Sequence, residues 1–292
     1  MTVHEVVAGK IAAGEPLATA DIEELAVLPD ILALGMLADD ARRQACGRRV
    51  TYVLVAAYAG GEPIDADAAR DAQEIRIIGK PTDLDSAVAI VRAVTEIAGE
   101  RAVSGFSFAD IEQLAPGRDL QRALETLRGA GLVRVAETPV DRLASPEATL
   151  EILEASGFPD TRLTVDGTEG GTRVSSILRA RALSARFRSV VALSPLPTIL
   201  NPFKPTTGYE DMRAVALARL AMPSGLAIQV DWQRYGPKLA QAALTFGAND
   251  LDNVPATATT EGPRRTPLAE VRRNIEAGGF EPVERGGRIS RS

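Results

Sequence analysis

Short runs rich in apolar and β-branched residues recur along this 292-residue chain, and most are followed by the spacing typical of an amphipathic helix. Strands that alternate with helices form parallel sheets built from βαβ units. Seven such runs favour a closed or partial (β/α) barrel over an open doubly wound sheet. The expected strands are Val50–Val55, Glu74–Gly79, Arg101–Phe108, Gly131–Glu137, Arg162–Asp166, Ser189–Leu193 and Leu226–Asp231.

The segments on either side of this alternation divide the chain into three parts. Residues 1–48 have apolar residues at helical spacing, which predicts an N-terminal helical extension. Residues 49–254 are expected to form the α/β unit, a partial or complete barrel of the TIM type. Residues 255–292 indicate a Thr- and Pro-rich linker, a C-terminal helix at about Leu268–Ala277 and a frayed polar end.

Charge and composition narrow the possible functions. The net charge of −6 predicts no nucleic-acid partner. No apolar stretch reaches the ~18 residues of a membrane span, so no membrane contact is expected. The first residues lack the pattern of a secretory signal, which makes the cytoplasm the expected location. One histidine, His4, and one cysteine, Cys46, exclude multi-histidine and cysteine-rich metal sites within the chain, and no metal is expected.

Active sites of (β/α) barrels lie at the carboxyl ends of the strands, so the candidate site residues are those that follow each expected strand. The carboxylates there, which could act as acid–base groups, are Glu137, Asp166, Glu169 and Asp231. The candidate ligand-binding residues are Gly79, Lys80, Thr168, Glu169, Gly170, Gly171, Thr172, Trp232 and Tyr235.

A structural role is open for several of these residues. The run Thr168–Thr172 leads into a helix, so its backbone N–H groups form either an anion cradle or a plain tight turn with an N-cap. Lys80 either binds a carboxylate or phosphate or is a surface lysine. Trp232 and Tyr235 either stack on a flat ligand or plug the mouth of the barrel.

Longer blocks of sequence resemble a known family. In order and spacing they are similar to the radical SAM enzymes of futalosine-dependent menaquinone biosynthesis, aminofutalosine synthase and cyclic dehypoxanthine futalosine synthase, and to the related deazaflavin FO synthase subunits. The resemblance implies a barrel, a [4Fe–4S] cluster and SAM. The blocks are Leu32–Val53, Glu74–Gly79, Lys204–Met222, Gly236–Val254 and Gly278–Arg285.

The chain departs from that family where the cluster would bind. The family carries a CxxxCxxC motif after the first strand, and its three thiolates hold the cluster while SAM occupies the fourth iron. This chain has no cysteine between Val55 and Glu74, and Cys46 precedes the strand. Other residue types do not readily replace the thiolates. The resemblance therefore carries over only Gly79 and Glu169 as pocket positions, and no cofactor is expected.

These observations support more than one functional hypothesis. The leading hypothesis is a cluster-less, radical-SAM-like protein linked to menaquinone (futalosine) biosynthesis. It would be a non-catalytic partner of an intact radical SAM relative or a binder of a small anion or nucleoside-like molecule. The alternative is a repurposed enzyme that performs polar chemistry on a nucleoside-like or carboxylate-bearing molecule. A purely structural subunit would have a mouth filled by Trp232 and Tyr235, whereas a concave polar pocket favours ligand binding.

Overall fold

The computed structural model describes residues 3–60, 70–115, 119–166, 170–198, 208–256, 267–289 and 291. Its strands are all parallel. The strands are β1 (Arg49–Tyr58), β2 (Glu74–Ile77), β3 (Ala102–Ser107), β4 (Arg134–Pro139), β5 (Thr161–Val165), β6 (Val190–Pro195), β7 (Ala227–Asp231), β8 (Asp250–Pro255) and β9 (Glu281–Glu284). From β1 to β8 each strand pairs with the next, and β1 also pairs with β8, which closes the barrel, while β9 pairs with β1.

Helices cover the outer face of the barrel and extend it at the N-terminus. Within the described residues, no helix is both long enough and apolar enough to cross a membrane. The helices are α1 (Val3–Ala12), α2 (Thr19–Ala26), α3 (Ile31–Cys46), α4 (Leu84–Ala98), α5 (Phe108–Leu114), α6 (Asp119–Gly129), α7 (Pro146–Ala155), α8 (Gly170–Arg186), α9 (Tyr209–Ala221), α10 (Trp232–Thr245) and α11 (Pro267–Ala277).

The local sequence explains where these helices begin and which face they bury. Asp30 accepts hydrogen bonds from the N–H groups of Leu32 and Ala33 and caps α3. Asp83 caps α4 in the same way, and the apolar stripe of α4, which includes Val91, packs on the barrel. The N-terminal helices pack against α9 and α8, and their buried side chains belong to the same apolar core as the barrel.

The expected TIM-type barrel is confirmed, with one strand more than the sequence pattern predicts. The expected strands match β1 to β7 within a few residues. The additional barrel strand is β8, whose alternate residues Asp250 and Asp252 are charged and fully buried. The sequence pattern does not predict β8 because inward charges replace the apolar residues by which a buried strand is normally detected.

The expectation of a frayed C-terminal end is wrong for the described residues. β9 pairs with the first half of β1, from Arg49 opposite Glu281 to Tyr52 opposite Glu284. Beyond it, the backbone carbonyl of Gly287 accepts a hydrogen bond of 2.8 Å from Arg134 inside the barrel. The segment is ordered because its polar groups are partners of buried groups.

The residues after β9 also close the N-terminal end of the barrel. Ile289 is buried against Val191, Ala192 and Ala227 of β6 and β7. Arg291 donates hydrogen bonds to backbone carbonyls at the end of α8 and the start of β6. The chain end therefore acts as a plug below the barrel.

We expect Ile289→Ala to lower the free energy of unfolding by about 2–4 kcal/mol, because it leaves a cavity under the barrel. The matched control is Ile97→Ala on α4, a side chain that is 51% exposed, against 7% for Ile289. The control should cost less than about 0.5 kcal/mol. Urea unfolding followed by circular dichroism measures both variants, and equal losses would contradict the plug.

Candidate functional site

A cavity of about 510 Å³ opens at the carboxyl ends of the barrel strands. Its lining brings together several of the residues that the sequence places there, while their roles in binding or catalysis stay predictions. The candidates that line this mouth cavity are Gly79, Lys80, Glu137, Asp166 and Asp231.

The charged groups around the mouth are paired with one another. Glu137, in β4, contacts Arg234 in the first turn of α10, after β7. Because β5 and β6 separate these strands, the pair crosses the mouth. Arg142 contacts Asp166 in the adjoining wall. A charged ligand must therefore exchange with existing ion pairs.

Lys80 lies at the rim of the mouth, with 57% of its side chain exposed. Its Nζ donates a hydrogen bond of 2.5 Å to Oε1 of Gln113 and lies 4.0 Å from Oδ1 of Asp110. Lys80, for which anion binding and a plain surface position were both open, is thus exposed and already partnered by α5, the helix after β3.

Asp231 is the carboxylate at the floor of the cavity. It ends β7 and caps α10, accepting hydrogen bonds of 3.0 Å from the N–H groups of Gln233 and Arg234. Nδ2 of Asn253 lies 3.1 Å from each of its carboxylate oxygens. Burial raises the pKa of Asp231, and the negative charge of Asp252 raises it further. A raised carboxyl pKa is the direction that an acid–base group working near neutral pH requires.

Backbone strain is concentrated in the lining of the cavity. Phe106 and Asn253, at φ 57° and 58°, are the non-glycine residues with positive φ in the described part of the chain. Both line the cavity. The pairing of β8 with β1 shifts by one residue at this point, a bulge that turns Asn253 towards Asp231. Strain of this kind is commonly retained at functional sites.

Trp232 and Tyr235 lie in the core and do not line the cavity. Tyr235 donates a hydrogen bond of 2.9 Å to the carbonyl of Pro195, which ties α10 to β6. Burial raises the pKa of this phenol well above its ordinary value. Neither ring therefore fills the mouth cavity, and a role for them in ligand binding stays a prediction.

The proposed anion cradle falls only partly within the described residues. Thr168 and Glu169 lie outside them. Gly170, Gly171 and Thr172 form the first turn of α8, and the carbonyl of Thr172 accepts a hydrogen bond from Ser175. The cradle stays a prediction.

A buried ion network begins at the cavity floor, where Arg76 lines the cavity, and extends below it; it was not predicted from the sequence. Its members are Glu74, Arg76, Arg134, Arg162, Asp250, Asp252 and Arg285. The sequence does contain a sign of this network, because β2 and β8 each carry two charged residues that are two positions apart. Helices cover the outer face of the barrel. The inner face is then the one place where both charges of such a strand can lie.

The ion pairs of the network are short, and single side chains take part in more than one of them. Arg76 bridges two carboxylates, with Nη2 at 2.7 Å from Oε1 of Glu74 and Nη1 at 2.8 Å from Oδ2 of Asp252. Burial alone would raise the pKa of Glu74, but the charges of Arg134 and Arg76 outweigh it and lower the pKa to about 2. The pKa of Asp252 also lies well below its ordinary value, because Arg76 and Arg162 outweigh the effect of burial.

We expect the stability of the protein to fall in acid because of Glu74. A carboxyl whose folded pKa is lowered contributes stability that is present above its ordinary pKa, here 4.5, and is lost as the pH falls towards about 2. The loss should be about 3 kcal/mol. Glu74→Gln should cost roughly 3–5 kcal/mol at pH 7, because it leaves arginines unpaired, and should weaken the acid dependence.

Urea unfolding between pH 7 and about pH 2 measures this dependence. Glu100→Gln, at an exposed position, is the matched control and should follow the wild type. Parallel pH profiles for the wild type and Glu74→Gln would show that Glu74 does not carry the effect.

Known proteins that resemble this chain are distant relatives in sequence. No protein-family model matches the chain. The chain is 26% identical to a 5-amino-6-(D-ribitylamino)uracil–L-tyrosine 4-hydroxyphenyl transferase of Archaeoglobus fulgidus. The alignment spans 236 residues, which are 70% of this chain and 68% of that protein. The chain is 28% identical over 145 residues to the cyclic dehypoxanthine futalosine synthase of Streptomyces coelicolor, covering 45% and 36%. The corresponding transferase of Methanothermobacter thermautotrophicus is matched over 63% of its length.

Solved structures share the fold at low identity. Methylornithine synthase superposes with a TM-score of 0.69 at 15% identity, covering 95% of this chain and 97% of that one. The FeFe-hydrogenase maturase HydG from Carboxydothermus hydrogenoformans also gives 0.69 at 15% identity, covering 96% and 79%. The chain is therefore similar to a 5-amino-6-(D-ribitylamino)uracil–L-tyrosine 4-hydroxyphenyl transferase and, over a shorter stretch, to a cyclic dehypoxanthine futalosine synthase, and it shares the fold of methylornithine synthase and HydG.

The residues present do not fit the cluster that the resemblance implies. The sequence between Tyr58 and Glu74 contains no cysteine. Cys46 ends α3 just before β1, so it lies at the end of the barrel opposite the mouth. Its Sγ donates to the carbonyl of Arg42 at 3.2 Å. A cluster needs thiolates at the mouth, and this chain has no cysteine to supply them.

Proposed function

We propose that this protein is a radical-SAM-like barrel without an iron–sulfur cluster that binds a small polar molecule in its mouth cavity. The observation that supports this is the cavity itself, a concave site where strained backbone and polar groups converge at the carboxyl ends of the strands. A collapsed or aromatic-filled mouth would have favoured a structural subunit instead. Its volume of about 510 Å³ suits a small molecule.

The chemistry of the lining suggests the class of ligand. Charges of both signs, together with Gln113, Asn253 and Phe106, surround the cavity. A nucleoside-like or carboxylate-bearing molecule offers the matching hydrogen-bonding groups. This class is consistent with relatives named for futalosine and ribitylaminouracil compounds, and we propose a role in menaquinone (futalosine) or related cofactor biosynthesis on that basis.

The proposed role is non-catalytic with respect to radical chemistry. Reductive cleavage of SAM needs an electron from a cluster, and this chain lacks the thiolates that hold one. We therefore propose that the protein presents or stores a pathway intermediate, with an intact radical SAM relative as its partner.

Anaerobic reconstitution with iron and sulfide tests the first part of this proposal. We expect no [4Fe–4S] cluster on the purified chain, because a single cysteine cannot ligate one. Iron analysis and the absorbance near ~400 nm measure it. A brown protein with about four iron atoms per chain would overturn the proposal, and a Cys46→Ala variant shows whether adventitious iron rests on that thiol.

Thermal-shift screening of nucleosides, nucleotides and small carboxylates tests ligand binding. We expect at least one to stabilise the wild type, and we expect Ala109→Trp, which fills the cavity, to abolish that shift. Ala155→Trp is the matched control, because Ala155 is an exposed residue of α7. A shift that survives in Ala109→Trp would place the ligand elsewhere.

A polar reaction is the second candidate, favoured by the raised pKa of Asp231. If the protein turns its ligand over, Asp231 is the acid–base group and Asn253 orients it. Asp231→Asn should then retain binding and lose turnover by at least about 100-fold. Unchanged turnover in this variant would contradict the catalytic role of Asp231, and ligand binding would then be the remaining proposal.

A further inference from the structure

Two unpartnered hydroxyl groups lie just below the floor of the mouth cavity. Oγ1 of Thr164 and Oγ of Ser194 are fully buried and have no hydrogen-bond partner within the described part of the chain. The two residues are opposite each other in the pairing of β5 with β6, so both side chains share one face of the sheet. Buried hydroxyls are normally bonded, so two such neighbours require an explanation.

That shared face is the lumen of the barrel. Arg162 lies two residues before Thr164 on β5, and its guanidinium reaches across the lumen to Gln229 and Asp252. Because side chains alternate along a strand, Thr164 points the same way. Asp166 and Leu196, two positions further along the chain from Thr164 and Ser194 and just after the two strands, line the mouth cavity. The hydroxyls therefore form a layer between Arg162 and the cavity.

Arg162 itself carries an unpartnered donor. Its Nε is buried and has no hydrogen-bond acceptor among the residues that the structure describes. The carboxylate it contacts, Asp252, is shared with Arg76. Three donors with free hydrogen-bonding capacity thus lie on two neighbouring strands.

The charges of the lumen network point to an anion. Four arginines, Arg76, Arg134, Arg162 and Arg285, face three carboxylates, Glu74, Asp250 and Asp252. The next carboxylate above them is Asp231, whose hydrogen bonds go to Asn253 and to backbone amides rather than to these arginines. Within this network the arginines outnumber the carboxylates by one, while at the mouth above it Arg234 contacts both Glu137 and Asp231.

We propose that Arg162, Thr164 and Ser194 form an oxyanion subsite beneath the mouth cavity, which receives the carboxylate or phosphate group of the ligand. This inference rests on the proposed function, since the body of the ligand occupies the cavity above. The arginine supplies the charge and the hydroxyls supply directed hydrogen bonds, so the subsite selects ligands by a terminal anion.

Matched pairs of probes test the subsite in the full-length protein. The pairs are AMP with adenosine, and benzoate with benzamide, so that each pair differs only in the anion. We expect the anionic member to bind at least about tenfold more tightly by calorimetry, and Thr164→Val and Ser194→Ala each to weaken it about tenfold. Whichever anionic probe prevails identifies phosphate or carboxylate as the group.

The free protein provides a second readout. Removing a hydroxyl that has no partner should leave the melting temperature of Thr164→Val and Ser194→Ala unchanged or raised. Ser156→Ala is the matched control, an unpartnered buried hydroxyl after α7, at the other end of the barrel, and it should bind the probes like the wild type.

The outcomes separate the subsite from the proposed function. Neutral probes that bind as well as the anions, or variants that bind the anions normally, would overturn the subsite and leave the cavity as a binding site. A lowered melting temperature in both free variants would also overturn it. If no probe binds the wild type, the subsite is rejected together with the ligand-binding proposal.

Discussion

The ion pairs inside the barrel are the interaction on which the rest of the structure depends. They join strands that are not neighbours in the sheet: Arg162 of β5 contacts Asp252 of β8, and Arg76 of β2 contacts the same carboxylate. Burying these charges is costly unless each keeps its partners, so a different strand register would leave charges unpaired. The network thereby favours one arrangement of the barrel, and Arg285 draws the chain end into it.

The same network supplies the electrostatics of the candidate site. In many barrels apolar layers fill the interior below the active site. Here Asp252 lies in the layer beneath Asp231, and its negative charge adds to the effect of burial on the pKa of Asp231. The layer below the cavity is charged, and this makes the floor of the cavity polar. A mutation that removes a charge of the network should therefore change the pKa of Asp231.

The fold and part of the site were predictable because both follow from periodicity. Strand ends in a parallel barrel share one edge, so Glu137, Asp166 and Asp231 could be expected to meet. The inward charges of β8 and the pairing of β9 could not be predicted, because each depends on partners that are distant in the sequence. The burial of Tyr235 could not be predicted either, because its hydrogen-bond partner is the carbonyl of Pro195, 40 residues away in the sequence.

The rim and the floor of the cavity differ in how easily their side chains can rearrange when a ligand binds. Arg142 and Arg234 have side chains that are 62% and 44% exposed, so their ion pairs contribute little to stability and can exchange for contacts with a ligand. Asp231 is buried and accepts hydrogen bonds from Asn253, whose backbone the surrounding structure holds at a positive φ. Recognition at the rim is therefore adaptable, whereas the floor, with its fixed polar groups, sets which ligand fits.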